Sequence, residues 1–157
     1  MSAKTGTASA GEREFVTVRI GEQLFGVEVT HIHEVFQPQA VSPVPLAKPE
    51  IAGVLNLRGR IVTTVCARRR LGLPPRPEGS RPPMAVGIDK NGESYGILVD
   101  AVDEVMKLSD KDYEDAPVNL DPRWASVSRG VYRLDGRLLV ALDVERLLDL
   151  GPQSAAA

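Results

Sequence analysis

Apolar and polar residues alternate over Phe15-Val-Thr-Val-Arg-Ile20, break at Gly21-Glu22, and resume from Leu24 to Val29. Successive side chains of a strand point to opposite faces, so this period of two predicts a hairpin with one face in a core. In Thr30-His-Ile-His-Glu-Val35 the apolar Ile32 and Val35 stand three apart. That spacing, behind a threonine able to accept from a following amide, predicts one short helical turn. Prolines at 38, 43, 45 and 49 then remove amide donors, so Gln37 to Pro49 is expected to be an extended connection anchored by Val41, Val44 and Leu46. Next comes Gly53-Val-Leu-Asn-Leu-Arg-Gly-Arg60, where Leu55 and Leu57 flank Asn56 and the apolar run restarts at Ile61, Val62 and Val65. This predicts a second hairpin bending at Arg58-Gly59, with Gly59 supplying a backbone conformation that a side chain disfavours. Ala67 to Leu71 reads as a short helix stopped by Gly72, and 74–83, rich in proline, as a linker.

The second half repeats this pattern. Phe25-Gly-Val-Glu-Val-Thr-His-Ile-His-Glu-Val35 lies over Tyr95-Gly-Ile-Leu-Val-Asp-Ala-Val-Asp-Glu-Val105. Gly53-Val-Leu-Asn-Leu-Arg-Gly-Arg60 lies over Gly130-Val-Tyr-Arg-Leu-Asp-Gly-Arg137, without a gap onward to Leu73 and Leu150. Gly26, Gly53 and Gly59 thus recur as Gly96, Gly130 and Gly136, and all six are assigned to the turns and barrel frame. Asn56 and Arg58 do not recur, being replaced by Arg133 and Asp135, so the hairpin reads as a frame that displays these two residues, candidates for partner contact, in this half alone. Two units rich in short strands predict a mainly β fold of two small barrels. One repeat spans about residues 14–73 and the other about 84–150, between a disordered tail at 1–13 and a short tail at 151–157. A further helix is expected near the C-terminus. Lys107 to Arg129, with five carboxylates and Trp124, reads as a long loop with a job.

Composition narrows the function classes. The chain has 157 residues, 43% apolar and 25% charged, enough for a sizeable core, while a net charge of −2 gives no bulk attraction to phosphate backbones or anionic membranes. No apolar run approaches the ~20 residues that span a bilayer, and residues 1–13 lack the apolar centre of a secretory signal. With Cys66 as the only cysteine, no internal disulfide forms, and the chain is expected in the cytoplasm.

The inventory does not suit an enzyme. His31 and His33 are the only histidines, without a cysteine or carboxylate cluster at metal-ligand spacing, so no metal is expected. Cys66 aligns with Asp143, just before a short helix that an aspartate would cap, and no histidine is placed to activate the thiol. Neither a phosphate-binding glycine loop nor a Gly-x-Ser-x-Gly elbow occurs, and no cofactor is expected. Arg68-Arg69-Arg70, with Arg60, Arg76 and Arg81, offers either a nucleic-acid patch on a small barrel or a solvated helix face. The acidic balance and lack of neighbouring aromatics favour the second, so nucleic acid is not expected as a partner. Glu34 and Glu104 occupy equivalent repeat positions, which favours a shared structural role over a paired active site.

Phe15 to Ile20, Phe25-Gly26-Val27, Ile32-x-Glu34-Val35, Val44-Pro45, the Gly53 to Gly59 run and Tyr95 to Asp100 together resemble the chemotaxis coupling family, CheW. The resemblance covers nearly all of residues 14–150, with Asn-Leu-Arg-Gly as its most specific piece. It implies two five-stranded SH3-like barrels sharing a hydrophobic core, and no catalysis. It further implies an adapter that joins the cytoplasmic tips of chemoreceptors to the regulatory domain of the histidine kinase CheA, reaching the membrane only through the receptors. Ile32, Glu34 and Val35 match the segment implicated in receptor contact, and Arg58, beside Asn56, the arginine of the turn motif. A coupler for a non-flagellar array is the alternative within this class. Where the family commonly reads Ile-Val-Pro-Val-Ile-Asp-Leu-Arg, this chain has Ile61-Val-Thr-Thr-Val-Cys-Ala-Arg68. The missing proline and aspartate alter the strand edge and the helix cap.

Overall fold

Most hydrophobic runs of the sequence become strands. In the computed structural model, which describes residues 11–115 and 120–149, β1 (Glu12–Ile20) and β2 (Gln23–Glu28) form the first hairpin. A 3₁₀ turn at Val29–His31 leads to β3 (Glu34–Phe36); β4 (Ile51–Leu57) and β5 (Arg60–Cys66) form the second hairpin, followed by α1 (Ala67–Arg70). The second half supplies β6 (Met84–Lys90), β7 (Glu93–Val99) and β8 (Ala101–Ser109), then a 3₁₀ turn at Asp110–Asp112 and β9 (Tyr113–Glu114). After α2 (Pro122–Ala125) it closes with β10 (Ser128–Leu134), β11 (Arg137–Leu142) and α3 (Val144–Leu148).

These strands make a six-stranded sheet, in the order β8-β1-β2-β11-β10-β9, and a five-stranded sheet, β3-β6-β7-β5-β4. The fold is mainly β with short helices, as expected. The expectation of two five-stranded units holds for the second sheet only, because Tyr113 and Glu114 pair with Tyr132 and Val131 and add a sixth strand to the first. The pairing does not close either sheet on itself.

The repeat is real, and it is interleaved. Exchanging β3 with β8, β6 with β1, β7 with β2, β5 with β11 and β4 with β10 turns one strand order into the other. Each sheet therefore draws strands from both halves, and the successive units 14–73 and 84–150 of the sequence are not its sheets. The physical reason is that the chain leaves one sheet for the other twice. It passes from β2 through the 3₁₀ turn to β3, and from β7 to β8 with Asp100 alone between them.

Several local expectations change for reasons of packing. The helical turn falls at Val29–His31, while Glu34 to Phe36 pair with β6, where backbone hydrogen bonding outweighs a six-residue helical preference. Leu46 is no anchor: it lies in the turn closed by Ala47 N–H on Val44 O (3.3 Å), with φ +65°, and its side chain is fully exposed. The loop expected from Lys107 to Arg129 is largely built, because β8 runs to Ser109 along β1 and Trp124 on α2 stacks edge-on against Phe25. Glu12 and Arg13 join β1, leaving 1–10 of the expected tail, and 150–157, outside the described residues.

Two cores hold the sheets. The larger joins Ile20, Phe25 and Val27 of the first sheet to Val65, Val86 and Ile97 of the second, with Leu147 of α3 between them. The smaller, Phe15, Leu24, Leu108, Tyr132 and Leu139, belongs to the first sheet alone. Each fully buried aliphatic side chain contributes about 1.5–3 kcal/mol.

The six glycines assigned to the frame divide into three equivalent pairs with different duties. Gly53 and Gly130 sit at equivalent bulges: at Gly53 a methyl group would collide with the Ser42 carbonyl, and at Gly130 with the Tyr113 hydroxyl and, at 2.7 Å, the Glu114 carbonyl. Gly26 and Gly96 lie inside β2 and β7, buried, with Leu139 pressed against the first. Gly59 and Gly136 do not pack in the frame at all. Both are exposed in hairpin turns with open space around them, so only the backbone conformation of the turn involves them. Gly136 has φ +79° between Leu134 and Arg137, the last pair of the β10–β11 hairpin.

Candidate functional site

The second hairpin turns where the sequence places it. Leu57 and Arg60 are its last pair, and Arg58 and Gly59 between them have φ of +51° and +87°. Both central residues of such a turn need positive φ, which costs glycine nothing and arginine something. In the sister turn Gly136 has the positive φ and Asp135 does not, so the two turns share a glycine but not a backbone shape. Asn56 lowers the cost at Arg58, since its Oδ1 accepts the Gly59 N–H at 2.8 Å. Asn56 is thus engaged within the turn, while the arginine is projected outward, its side chain 69% exposed.

Arg58 has a partner in its own chain. Its guanidinium hydrogen-bonds the carboxylate of Glu34, which β3 carries on the other edge of the same sheet. The two residues, 24 apart in sequence, form the rim of a groove of about 170 Å³ floored by Phe36, Leu57, Val62 and Tyr95. Burial, then a hydrogen bond to Glu93 at 2.8 Å, pushes the Tyr95 hydroxyl up to about 12, so it stays a neutral donor here. An exposed ion pair of this kind stabilises a fold by about 0–1 kcal/mol, so its main effect is to orient both side chains.

The other expected site residues separate. Ile32 packs against the shared core, and Val35, on the opposite face of β3 from Glu34, is 37% exposed. Glu104, the repeat partner of Glu34, is exposed; its backbone carbonyl accepts from Thr17 Oγ1 at 2.7 Å. The shared role expected for the two carboxylates is therefore confined to their strands. Sequence reasoning missed Ile61, 63% exposed beside the turn, although its alternation with buried Val62 signals the outward face.

A second depression of about 400 Å³ opens at the β2 to β3 crossing. It lies between the 3₁₀ turn, the β6–β7 turn and α3, with Thr30, His31, Asn91 and Glu145 on its walls. His33 Nδ1 stands 3.6 Å from Asp89, the His31 Nδ1 is buried without a hydrogen bond, and no metal-holding cluster of side chains occurs among the described residues.

The arginine run is engaged with the protein. Arg68 chelates Asp100, Arg69 donates to the Pro49 carbonyl at 3.1 Å, and Arg70 donates to the carbonyls of Leu147 and Arg146, both at 2.9 Å. Neither the nucleic-acid patch nor the simple solvated face describes it, because the guanidinium planes are aimed at carbonyls and a carboxylate. Among the described residues, no helix is long and apolar enough to cross a membrane.

Relatives share this frame. The chain is 30% identical over 146 residues to chemotaxis protein CheW of Rhizobium meliloti, covering 93% of this chain and 94% of that one. The same figures describe its match to chemotaxis protein CheW of Thermotoga maritima. The crystal structure of the scaffolding protein TtCheW from Thermoanaerobacter tengcongensis superposes with a TM-score of 0.77 at 23% identity, over 88% of this chain and 94% of that one. The sequence model of the CheW-like domain matches residues 14–151, and the chain belongs to that family.

Proposed function

We propose that this chain is a cytoplasmic adapter that couples the signalling tips of chemoreceptors to the regulatory domain of the histidine kinase CheA. It is a chemotaxis scaffold and not an enzyme. The observation that carries the finer reading is the Glu34–Arg58 pair. An exposed guanidinium and the half-buried carboxylate that orients it stand at the rim of a groove with an apolar floor, with Ile61 and Val35 uncovered nearby. Oriented charge beside apolar surface suits docking of a protein partner, where a planar guanidinium gains from being pre-organised. The depression at the β2 to β3 crossing, which Ile32 lines together with polar and charged side chains, is where we place the helical tip. We read each sheet as a small SH3-like barrel, the form in which two such surfaces are held at a fixed distance. Binding two partners at once raises their effective concentration, and that is the whole activity.

Arg58→Glu tests this reading. It should weaken co-sedimentation with receptor cytoplasmic fragments and CheA at least tenfold while circular dichroism and Tm stay close to those of the parent, since the pair contributes little to stability. Undiminished association would sink the assignment of the site, and loss of fold would make Arg58 structural. Adding Glu34→Arg restores the ion pair with its sense reversed and should not restore docking.

A further inference from the structure

The two crossings between sheets are related by the repeat, and only one is closed. At the β7 to β8 crossing, Asp100 accepts the Gly21 N–H at 2.8 Å from the β1–β2 turn, and donates its own N–H to the Arg19 carbonyl at 2.9 Å. Arg68, from α1 behind the five-stranded sheet, grips both carboxylate oxygens at 2.7–3.2 Å, and Arg76 in the proline-rich segment adds an ion pair at 3.2 Å. Arg68 also donates to the Pro74 carbonyl at 2.8 Å, tying that segment down. The Arg68 and Asp100 side chains are only 15% and 16% exposed. At the β2 to β3 crossing the equivalent positions of Gly21, Asp100 and Arg68 are Asn91, Thr30 and Glu145. None of these carries the matching charge, and all three line the open depression.

We propose that Asp100 is the positioning residue of the joint between the sheets, and that its bonds to Gly21, Arg68 and Arg76 set the width of the depression at the opposite crossing. The reasoning is mechanical. Most of the side chains that join the sheets in the shared core are aliphatic, and their burial is non-directional, so the core resists separation more than it resists rocking. Charge-assisted, bidentate bonds are directional and fix an angle. The single residue of connection at Asp100 leaves no slack at that side, whereas five residues, Val29 to His33, join the sheets at the other. Rocking about the joint therefore shows at the open crossing. That the width governs partner affinity is a second step, which rests on the reading of the chain as an adapter.

Distances across the open crossing test the joint without any partner. In the full chain, Cys66→Ser with Lys90→Cys on β6 and Arg129→Cys on β10 places spin labels on the two walls, one on each sheet. Double electron–electron resonance should give one narrow distance with Asp100 present. Asp100→Asn should displace or broaden it by more than the parent width, and Arg76→Gln should act in the same direction but less. An unchanged distribution accompanied by a lower Tm would overturn the proposal, making Asp100 a stability residue only. If Asp100→Asn does not fold, Arg76→Gln decides by the same criterion. Association with a receptor cytoplasmic fragment, measured on the same variants without labels, separates the second step. A changed distance with unchanged association overturns the link to docking and leaves the joint standing.

Discussion

The β7 to β8 crossing and the β2 to β3 crossing occupy equivalent places in a duplicated frame. In the first, a carboxylate with two arginines closes the space; in the second, threonine, asparagine and glutamate leave about 400 Å³ open. The two hairpins differ in the same way. Arg58 tops one and pairs with Glu34, whereas Asp135 tops the other beside Gly136 and the neighbouring Arg133 reaches Glu114 on β9. Backbone demands survive in both copies, as the matching bulge glycines show, while the charges at Arg58 and Asp135, and at Asp100 and Thr30, have diverged. The comparison separates what holds the frame from what is displayed on it.

The strongest way to break that comparison is at the bulges. Gly53→Ala and Gly130→Ala should each cost roughly 2–4 kcal/mol and lower Tm by about 5–15 °C, because a methyl group meets a backbone carbonyl at both. Calorimetry of the two variants checks it. A large loss at one glycine with none at the other would mean that the bulges are not equivalent.

A smaller effect follows from the closed crossing. Burial raises the Asp100 carboxyl, but hydrogen bonds from Arg68 and Gly21 and the charges of Arg68 and Arg76 outweigh it, leaving the group below the usual carboxylate range. Its partner agrees in direction, since the hydrogen bond to Asp100 raises Arg68 against the opposing effect of burial. A depressed folded value means stability that is complete above the unfolded value near ~3.9 and is lost as pH falls through the folded one. Removing the carboxylate by Asp100→Asn should thus cost about 1–3 kcal/mol at neutral pH. The gap to the parent should narrow below about pH 4. Urea unfolding from neutral pH down into the acid range reads this out, and a gap that stays constant would show that Asp100 contributes no charge.

The smallest predicted difference lies between the equivalent helices. Asp143 caps α3 by accepting the Arg146 N–H at 3.1 Å, whereas Cys66 makes no side-chain cap on α1. Cys66→Asp should therefore stabilise the chain by about 0.5–1 kcal/mol, visible as a higher urea midpoint. No gain would mean that α1 is held wholly by the contacts of Arg68, Arg69 and Arg70.

Much of this was legible along the chain. Period-two alternation located β1, β2, β4 and β5, because strand faces are set by neighbours two residues apart. The Arg58-Gly59 turn was readable from glycine chemistry, and the duplicated order from recurring Gly-Val and Gly-Arg pairs. Leu46 was misread because an apolar residue carries no local mark of facing outward. The sequence assigns six glycines to turns and frame together, because a glycine code does not distinguish a turn in open solvent from a close approach; only the neighbouring atoms separate Gly59 and Gly136 from Gly53 and Gly130. Asn56 was read as a displayed residue, and its turn-capping hydrogen bond emerged only with the backbone dihedrals on either side of it.

The sequence by itself determined most of the strands, their faces, the repeat and the family to which the repeat belongs. The tertiary structure alone decided which strands are neighbours, and so which charges meet. Periodicity says which way a side chain points but nothing about the strand beside it, since pairing is made by backbone groups that every residue shares. Glu34 and Arg58 stand on opposite edges of one sheet, and Asp100 and Arg68 lie 32 residues apart. Only the interleaving of the two halves, with its two crossings, brings each pair together.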